Sequence, residues 1–254
     1  MANNKKTTSK KETKTKPKVV EATLTSNKKE KLSVLKPHQK SVSNFLRSNS
    51  ISIVLGEAGC AKDFVQMFRA IEGINDGEFD KLVITKPIVE MGMSIGFLPG
   101  DEEKLAPYKR SFYNNLTKIV GKSKMGSFKD KVEFEHIGFQ RGNTLPEYSV
   151  IILSEAQNMT LHELISYTTR VPGNSKLFVN GDSSQSDIGR KSGLNDYLQI
   201  MNSVDGVGIV VLDPKVHQMR SRIITDINKN YISLMEQRGL SFKIDMEKIK
   251  HVVL

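Results

Sequence analysis

The sequence GEAGCAKD, residues 56–63, follows the apolar run Ile51–Leu55 and precedes a segment whose apolar residues have helical spacing. A glycine-rich turn between a strand and a helix presents backbone N–H groups to phosphate, and its usual form is Gly, four residues, Gly, Lys and then Ser or Thr. Here Ala61 stands in place of the second glycine and Asp63 in place of the hydroxyl residue. The stretch therefore predicts a phosphate-binding P-loop with two substitutions.

A third substitution lies farther along the chain, where the apolar run 150–153 is followed by Ser154 and Glu155. P-loop nucleoside triphosphatases normally place an Asp after this strand, and it helps to hold Mg²⁺. The P-loop hydroxyl and this Asp lie side by side at the metal in such folds, so the chain has exchanged a carboxylate and a hydroxyl between the two positions. We expect Asp63 and Ser154 to form one compensated metal site.

Composition limits the class of protein. A chain of 254 residues with 38% hydrophobic residues fits one large globular domain. No stretch approaches the roughly 18 apolar residues of a membrane helix, so no membrane association is expected, and no apolar segment follows the first lysines as in a secretory signal. The single cysteine, Cys60, excludes an internal disulfide and suits a reducing compartment. These features predict a cytoplasmic protein.

The positive charge is concentrated at the N-terminus. Residues 1–31 contain ten lysines and three glutamates, which is +7 of the net charge of +10. Such a segment cannot bury enough apolar surface to order itself, so we predict a disordered tail over residues 1–33. Two roles remain open for it, namely a non-specific arm for RNA or DNA and a solubilising extension.

Apolar runs and helical patterns alternate along the rest of the chain. Strands are predicted over residues 51–55, 82–85, 132–137, 150–153, 177–180 and 207–212, and helices over 35–47, 64–74, 105–120, 161–169, 194–201 and 219–235. This alternation predicts an α/β fold with a mostly parallel sheet covered by helices on both faces. We expect one domain over residues 34–235 and a C-terminal extension over 236–254, in which residues 243–254 add a strand or a helix at the edge.

Several blocks of sequence occur in the order and strand context of a helicase-like triphosphatase. They are GEAGCAKD (56–63), TKPIVEMGMSIGFLPGDEEKLAPY (85–108), GFQRGNTL (138–145), VIILSEAQN (150–158), FVNGDSSQSD (178–187) and KSGL (191–194). Together they resemble the PhoH-like ATPase family over roughly residues 35–231, with the departures at Ala61, Asp63 and Ser154. The resemblance is to a phage-type member without the additional arm domain of longer relatives, which implies action in the host cytoplasm.

The resemblance implies a RecA-like P-loop NTPase related to superfamily 1 helicases. It implies ATP and Mg²⁺ as ligands, coupling to single-stranded RNA or DNA, and a homo-oligomeric ring, perhaps a hexamer, because one such domain supplies only half of a helicase cleft. An opposing hypothesis is a nucleotide-binding module without hydrolysis that acts as a nucleic-acid-binding or interaction protein. A carboxylate beside the P-loop Lys adds negative charge near the phosphates, which costs affinity when no cation is bound. The presence of Glu155, Asp182, Gln185 and Arg220 argues against the loss of hydrolysis, because a pure binding protein needs none of them.

The residue types suggest individual roles. Lys62 can reach the β and γ phosphate oxygens, and Glu155 follows a buried strand where it can orient or deprotonate a water. Asp182 and Gln185 can sense the γ-phosphate, although their sequence is also turn chemistry. The positions expected to bind nucleotide are Gln39, Gly56, Ala58, Gly59, Cys60, Ala61, Lys62, Asp63 and Asp182. The expected catalytic residues are Lys62, Glu155, Gln185 and Arg220. The expected metal ligands are Asp63 and Ser154.

Some of these assignments compete with others. Arg220, expected at the start of a late helix, can neutralise transition-state charge, and Arg222 is the competing choice. Gln39 resembles an adenine-reading Gln because its amide can pair with a donor and an acceptor on the base, but it can equally be a solvent-facing helical residue. Lys86, Arg141 and Lys191 fall in predicted loops that can face a nucleic-acid backbone or simply be solvated.

Overall fold

The computed structural model describes residues 31–87, 101–136, 144–182, 184–239 and 244–254. The tail predicted over residues 1–33 lies outside the described residues except for 31–33. Arg141 and residues 88–100 of the block 85–108 also lie outside them.

The described strands form one sheet in which every neighbouring pair is parallel. They are β1 (Ile51–Leu55), β2 (Lys81–Lys86), β3 (Val132–His136), β4 (Ser149–Leu153), β5 (Lys176–Gly181), β6 (Val207–Val211) and β7 (Val252–Val253). Their order is β3-β2-β4-β5-β1-β6-β7. The central strands are almost continuous runs of buried residues, as expected for a sheet covered on both faces. The predicted α/β fold is confirmed.

Helices cover both faces of this sheet. They are α1 (Pro37–Ser48), α2 (Lys62–Asp76), α3 (Asp101–Val120), α4 (Met125–Lys129), α5 (Leu161–Thr168), α6 (Leu194–Met201), α7 (Pro214–His217) and α8 (Arg222–Gln237). Apolar side chains of α1 to α4 form one core with one face of the sheet, and those of α5 and α6 form the core on the other face. None of the helices in the described ranges has the length and apolar content needed to span a membrane.

The strand order determines which residues meet at the carboxyl edge of the sheet. β5 lies between β1 and β4, so the P-loop after β1 and Ser154 after β4 are separated by the end of β5. Residues at the end of β5 therefore lie close to the P-loop on one side and to Ser154 on the other. Ligands of open α/β sheets bind outside the carboxyl ends of the strands, and this edge is the place to look for the site.

The helix predicted over residues 219–235 is wrong at its start. The chain forms the short helix α7, leaves helical geometry at Gln218, and starts α8 only at Arg222 after the extended N-cap residue Ser221. The break has a physical reason, because Gln218 Nε2 donates to the Ala58 carbonyl and the Met219 N–H donates to the Gly59 carbonyl. These bonds hold residues 218–220 across the P-loop in an extended path.

The C-terminal segment belongs to the sheet. Residues 244–254 form a turn at Met246–Lys248 and then β7, which pairs with β6 at the edge. Ile244 and Ile249 are buried in the core next to α6. Of the two predicted alternatives for this segment, the strand is the one formed.

Candidate functional site

The P-loop connects β1 to α2 through two residues of positive φ. Gly59 has φ +100°, and a Cβ at this position would overlap Gln218 Oε1, so the loop requires glycine here. Ala61 is the N-cap of α2 and has φ 57°, a left-handed conformation that costs a residue with a side chain about 1–2 kcal/mol. The loop thus keeps the P-loop path even though Ala replaces the usual glycine. Its end coincides with the N-terminus of a 15-residue helix, which favours an anion.

Lys62 is folded over the loop. Its Nζ donates to the carbonyl oxygens of Gly56 and Glu57, at 2.6 and 3.1 Å. The Gly56 N–H donates to Gly181 and the Cys60 N–H donates to Glu57, so these two amides are engaged within the protein. Cys60 itself is buried, and burial raises the pKa of its thiol. Within this loop, the Lys62 ammonium and the amides at the start of α2 are the groups best suited to phosphate.

Asp63 and Ser154 are in direct contact. Ser154 Oγ donates to Asp63 Oδ1 at 2.9 Å, although the two residues belong to different strand connections. Asn180, at the end of β5, donates its Nδ2 to the same Asp63 oxygen at 2.8 Å. Ser154 and Asn180 are buried. The structure therefore brings together the two exchanged positions, and it adds Asn180, which the sequence did not single out. We call Asp63, Ser154 and Asn180 the Asp63 corner.

The Asp63 carboxylate is unfavourably placed for an isolated negative charge. Removal from water raises its pKa, and the nearby Glu155 carboxylate raises it further, whereas hydrogen bonds from Ser154 and Asn180 and the Lys62 charge act in the opposite direction. A cation bound here would relieve this cost. In the described part of the chain, no three or more His, Cys, Asp or Glu side chains are grouped to hold a metal. Mg²⁺ does not need such a group, because one or two protein oxygens with water and phosphate oxygens suffice.

Glu155 follows Ser154 and points to the cleft with its side chain about one-third exposed, at 35%. Its φ of 59° is left-handed, and its N–H donates to Asn180 Oδ1 at 3.3 Å. Gln157 Nε2 donates to its Oε2 at 2.6 Å, and Lys86 Nζ lies 3.6 Å from its Oε1. Lys86 is the last residue of β2, so its predicted placement in a loop was wrong. The carboxylate is held from two sides.

Asp182 and Gln185 come together beyond β5. Gln185 Nε2 donates to Asp182 Oδ2 at 3.0 Å, while Ser184 donates its N–H and hydroxyl to Oδ1. Gln157 Oε1 accepts from the Asp182 N–H at 2.9 Å, which links this turn to the Gln that holds Glu155. Asp182 is buried and organises the turn. A cavity of about 240 Å³ lies between this turn and Lys62, with Glu155 in its wall.

Residues 218–220, the clamp segment, cross the P-loop from the other side. In addition to the two bonds that Gln218 and Met219 make with the loop, Gln218 Oε1 accepts from the Arg220 N–H at 3.1 Å. Arg220 precedes α8 rather than beginning it, and its side chain lines the main cleft. Arg222 does not line that cleft. Its side chain is almost fully exposed, and its Nε lies 3.7 Å from Asp226 Oδ2. Gln218 is a second residue that the sequence reasoning missed.

The main cleft has a volume of about 690 Å³ and extends from the Asp63 corner to the start of α1. Gln39 is buried in its wall, where its Oε1 accepts from the Lys36 N–H at 3.0 Å. The predicted alternative of a solvent-facing helical Gln is therefore wrong. Lys191 lies in the turn Gly189–Lys191 and lines neither cavity.

The charges of the main cleft are unequal. Its wall contains four cationic side chains and two carboxylates, namely Lys36, Lys62, Lys118, Arg220, Asp63 and Glu155. The excess of two positive charges suits a ligand with two negative charges, such as a nucleoside triphosphate with one bound Mg²⁺.

A family model described as PhoH-like protein matches residues 31–232. The chain is 34% identical over 173 residues to a PhoH-like protein of Bacillus subtilis, covering 66% of the chain and 54% of that protein. It is 37% identical over 172 residues to Protein PhoH of Escherichia coli K12, covering 65% of the chain and 48% of that protein. It is 33% identical over 187 residues to a PhoH-like protein of Synechocystis, covering 70% of the chain and 57% of that protein. The chain spans about half the length of these curated relatives.

Proposed function

The chain belongs to the PhoH-like family, and on that premise we propose that it binds ATP with Mg²⁺ and hydrolyses the ATP. The observation that carries this proposal is the 2.9 Å contact between Ser154 Oγ and Asp63 Oδ1 in a cleft that also contains Lys62. A carboxylate and a hydroxyl are the side chains that P-loop enzymes use at their metal. Both are present here at one point of the fold, with their positions in the chain exchanged.

The proposed reaction uses the residues of the cleft in separate roles. Asp63 and Ser154 would hold the metal, and Lys62 would leave the Gly56 and Glu57 carbonyls to contact the phosphates. When bound, Mg²⁺ neutralises charge on the β and γ phosphate oxygens. Glu155, oriented by Gln157, would position the attacking water and accept its proton. Arg220 would neutralise charge from the side of the clamp segment, and Gln185 with Asp182 would sense the γ-phosphate.

Coupling to single-stranded RNA or DNA is the second part of the proposal. The helicase-like order of the motifs supports it, together with the charge of +7 over residues 1–31. The chain spans about half of its relatives, so the activity of a whole relative is not carried over to it. A phage origin, action in the host cytoplasm and assembly into a ring are part of the same proposal.

A nucleotide-binding protein without hydrolysis is a second candidate, and the contacts of the Glu155 carboxylate favour it. Both oxygens of its carboxylate already have partners, Gln157 Nε2 at 2.6 Å from Oε2 and Lys86 Nζ at 3.6 Å from Oε1, so an attacking water would have to compete for them. Under this alternative, nucleotide binding would switch the affinity for nucleic acid without turnover.

The test is ATP hydrolysis with Mg²⁺, with and without single-stranded RNA, in the parent chain and in Lys62→Ala and Glu155→Gln. The proposal expects turnover in the parent and a fall of about 100-fold or more in each variant, because removal of a general base or phosphate ligand costs this much. ATP binding without turnover in the parent would support the second candidate. Filter binding of RNA to a chain lacking residues 1–31 separates binding by the tail from binding by the core.

A further inference from the structure

The main cleft has a second end, away from the Asp63 corner, at the start of α1. Gln39 and Lys36 line it there, together with Met219 of the clamp segment. A nucleotide held by its phosphates at the N-terminus of α2 would place its base toward this end of the cleft. The side chains at the start of α1 are therefore the ones that can select the base.

The amide group of Gln39 has a fixed orientation. Gln39 is the third residue of α1, and its Oε1 accepts a hydrogen bond of 3.0 Å from the N–H of Lys36, the N-cap residue. Because a backbone N–H can only donate, the amide oxygen must face Lys36 and the amino group must be directed away from it. Among the described residues no acceptor bonds to Nε2, and this atom is not enclosed. Gln39 thus offers a donor to a base in the cleft.

A second donor is supplied by the side chain of Lys36. Its Nζ lies 3.6 Å from Met219 Sδ, in the wall of the same cleft. A thioether sulfur is a weak acceptor, so the ammonium group loses little when it moves from the sulfur to an oxygen of a ligand. The start of α1 therefore provides two donors, one fixed in orientation and one on a flexible stem.

The two purine bases differ at the edge that such donors contact. Both have an acceptor at N7, but guanine adds the acceptor O6 where adenine has an N6 amino group, which donates. Rejection of guanine needs a fixed acceptor at this point. Among the described side chains of the cleft wall, only the carboxylates of Asp63 and Glu155 are restricted to accepting, and both lie at the proposed metal end. Ser33 and Asn115 can donate as well as accept and so suit either base.

Given the nucleotide binding proposed above, we propose that Gln39 and Lys36 contact the N7 edge of a purine with two donors, so that the chain binds GTP at least as tightly as ATP. With guanine, Gln39 Nε2 donates to N7 and the Lys36 ammonium donates to O6; a pair of donors at N7 and O6 is the usual means of recognising guanine in DNA. With adenine, the bond to N7 is kept and the flexible Lys36 side chain moves away from the N6 amino group. Specificity for adenine is lost, while specificity for a purine is retained.

The experiment is isothermal titration calorimetry of the full chain with Mg²⁺ and the β,γ-imido analogues of ATP and GTP, which measures binding without turnover. We expect the dissociation constant of the GTP analogue to be equal to or lower than that of the ATP analogue. The 7-deaza forms of both analogues lack the acceptor at N7. Each should bind about fivefold more weakly than its parent compound, because one hydrogen bond contributes about this factor.

Gln39→Glu is the variant that reverses the chemistry of the amide, and Gln237→Glu is its matched control. Glutamate at position 39 can still accept from the Lys36 N–H, but it replaces the amino group with an acceptor. Binding of the GTP analogue should therefore weaken about tenfold more than binding of the ATP analogue, whose N6 amino group can donate to the new oxygen. Gln237 lies in the exposed last turn of α8, so the same added charge there should leave the ratio of the two dissociation constants unchanged.

Two results in the parent chain would overturn this proposal while leaving the proposed function intact. One is binding of the ATP analogue about tenfold or more tighter than binding of the GTP analogue. The other is unchanged affinity for the 7-deaza forms, a result that does not depend on whether Gln39→Glu folds. Binding of neither analogue would overturn the proposed function and the proposed base recognition together.

Discussion

The Asp63 corner and the clamp segment touch the same P-loop from opposite sides, but the protein encloses the first and leaves the second open. Ser154 and Asn180 are 0% and 2% exposed, whereas Met219 is 46% exposed. The corner is built from side chains that bond to one another, and the clamp segment is held mainly through backbone groups of the loop. The comparison indicates that a single chain fixes the geometry of the proposed metal site, while the opposite wall of the cleft is open to solvent.

The largest effect is expected at the centre of the enclosed region. Asn180 bonds to Asp63, Gln66, Ser154 and the Glu155 N–H. Asn180→Ala leaves these buried groups without their partner, so we expect a loss of about 2–4 kcal/mol of unfolding free energy. Hydrolysis should fall by more than the unfolded fraction explains. Urea unfolding and turnover of the folded protein measure the two effects, with the exposed Asn44→Ala as control. Unchanged stability would mean that the corner is not one network.

A smaller effect, on ATP hydrolysis, is expected in the clamp segment. Gln218→Ala removes the bond to the Ala58 carbonyl and the acceptor for the Arg220 N–H. Because Arg220 is proposed to act during phosphoryl transfer, we expect kcat to fall about tenfold with little change of KM for ATP. Steady-state kinetics test this, and Gln237→Ala, in the exposed last turn of α8, is the control. A rise of KM at constant kcat would instead make Gln218 a residue of ground-state binding.

The pH dependence of stability should depend on His217, which directly precedes the clamp segment. Burial lowers the pKa of His217, and the neighbouring His38 lowers it further, while the Leu254 backbone and Asp213 act in the opposite direction. The unfolded state therefore binds a proton more readily than the folded state. Stability is retained above the ordinary value of 6.5 and is lost as the pH falls through it. Urea unfolding of His217→Gln should lose less stability on acidification than the parent, and the exposed His162→Gln should behave as the parent.

The smallest effect is expected within the loop that both regions share. Ala61→Gly relieves the left-handed conformation at the N-cap of α2, which gains about 1 kcal/mol in the folded state. Glycine also adds conformational freedom to the unfolded chain, which offsets most of that gain. We expect a net change of unfolding free energy within about 0.5 kcal/mol. A loss well above this would show that the Ala61 methyl group makes a contact of its own.

Sequence patterns were sufficient for six of the seven described strands and for the contact of Asp63 with Ser154 at the carboxyl edge of the sheet. The strand over residues 51–55 and the helix over 194–201 have the predicted bounds, because strongly apolar runs and a clear helical period specify them. The contact of Asp63 with Ser154 was predictable because both follow strands whose carboxyl ends lie at one edge.

The sequence did not reveal residues whose roles depend on tertiary contacts. Asn180 was read only as the end of a strand, and its partners lie on α2 and after β4. An amide at the carboxyl end of the strand beside β1 was the available signal. Gln218 and the break before α8 depend on bonds to the P-loop, and helical periodicity carries no information about such bonds. Local pattern therefore located the elements and missed the clamp segment.

The measurement that tests the central claim most directly is the exchange of Asp63 and Ser154. Asp63→Thr removes the carboxylate from the metal position, and Ser154→Asp places two carboxylates in contact, so each single change should lower Mg²⁺-dependent hydrolysis about 100-fold or more. The double change restores one carboxylate and one hydroxyl. We predict that it recovers turnover to within about tenfold of the parent, with Mn²⁺ binding restored in parallel. Losses that simply add in the double variant would contradict the claim that the two residues form one metal site.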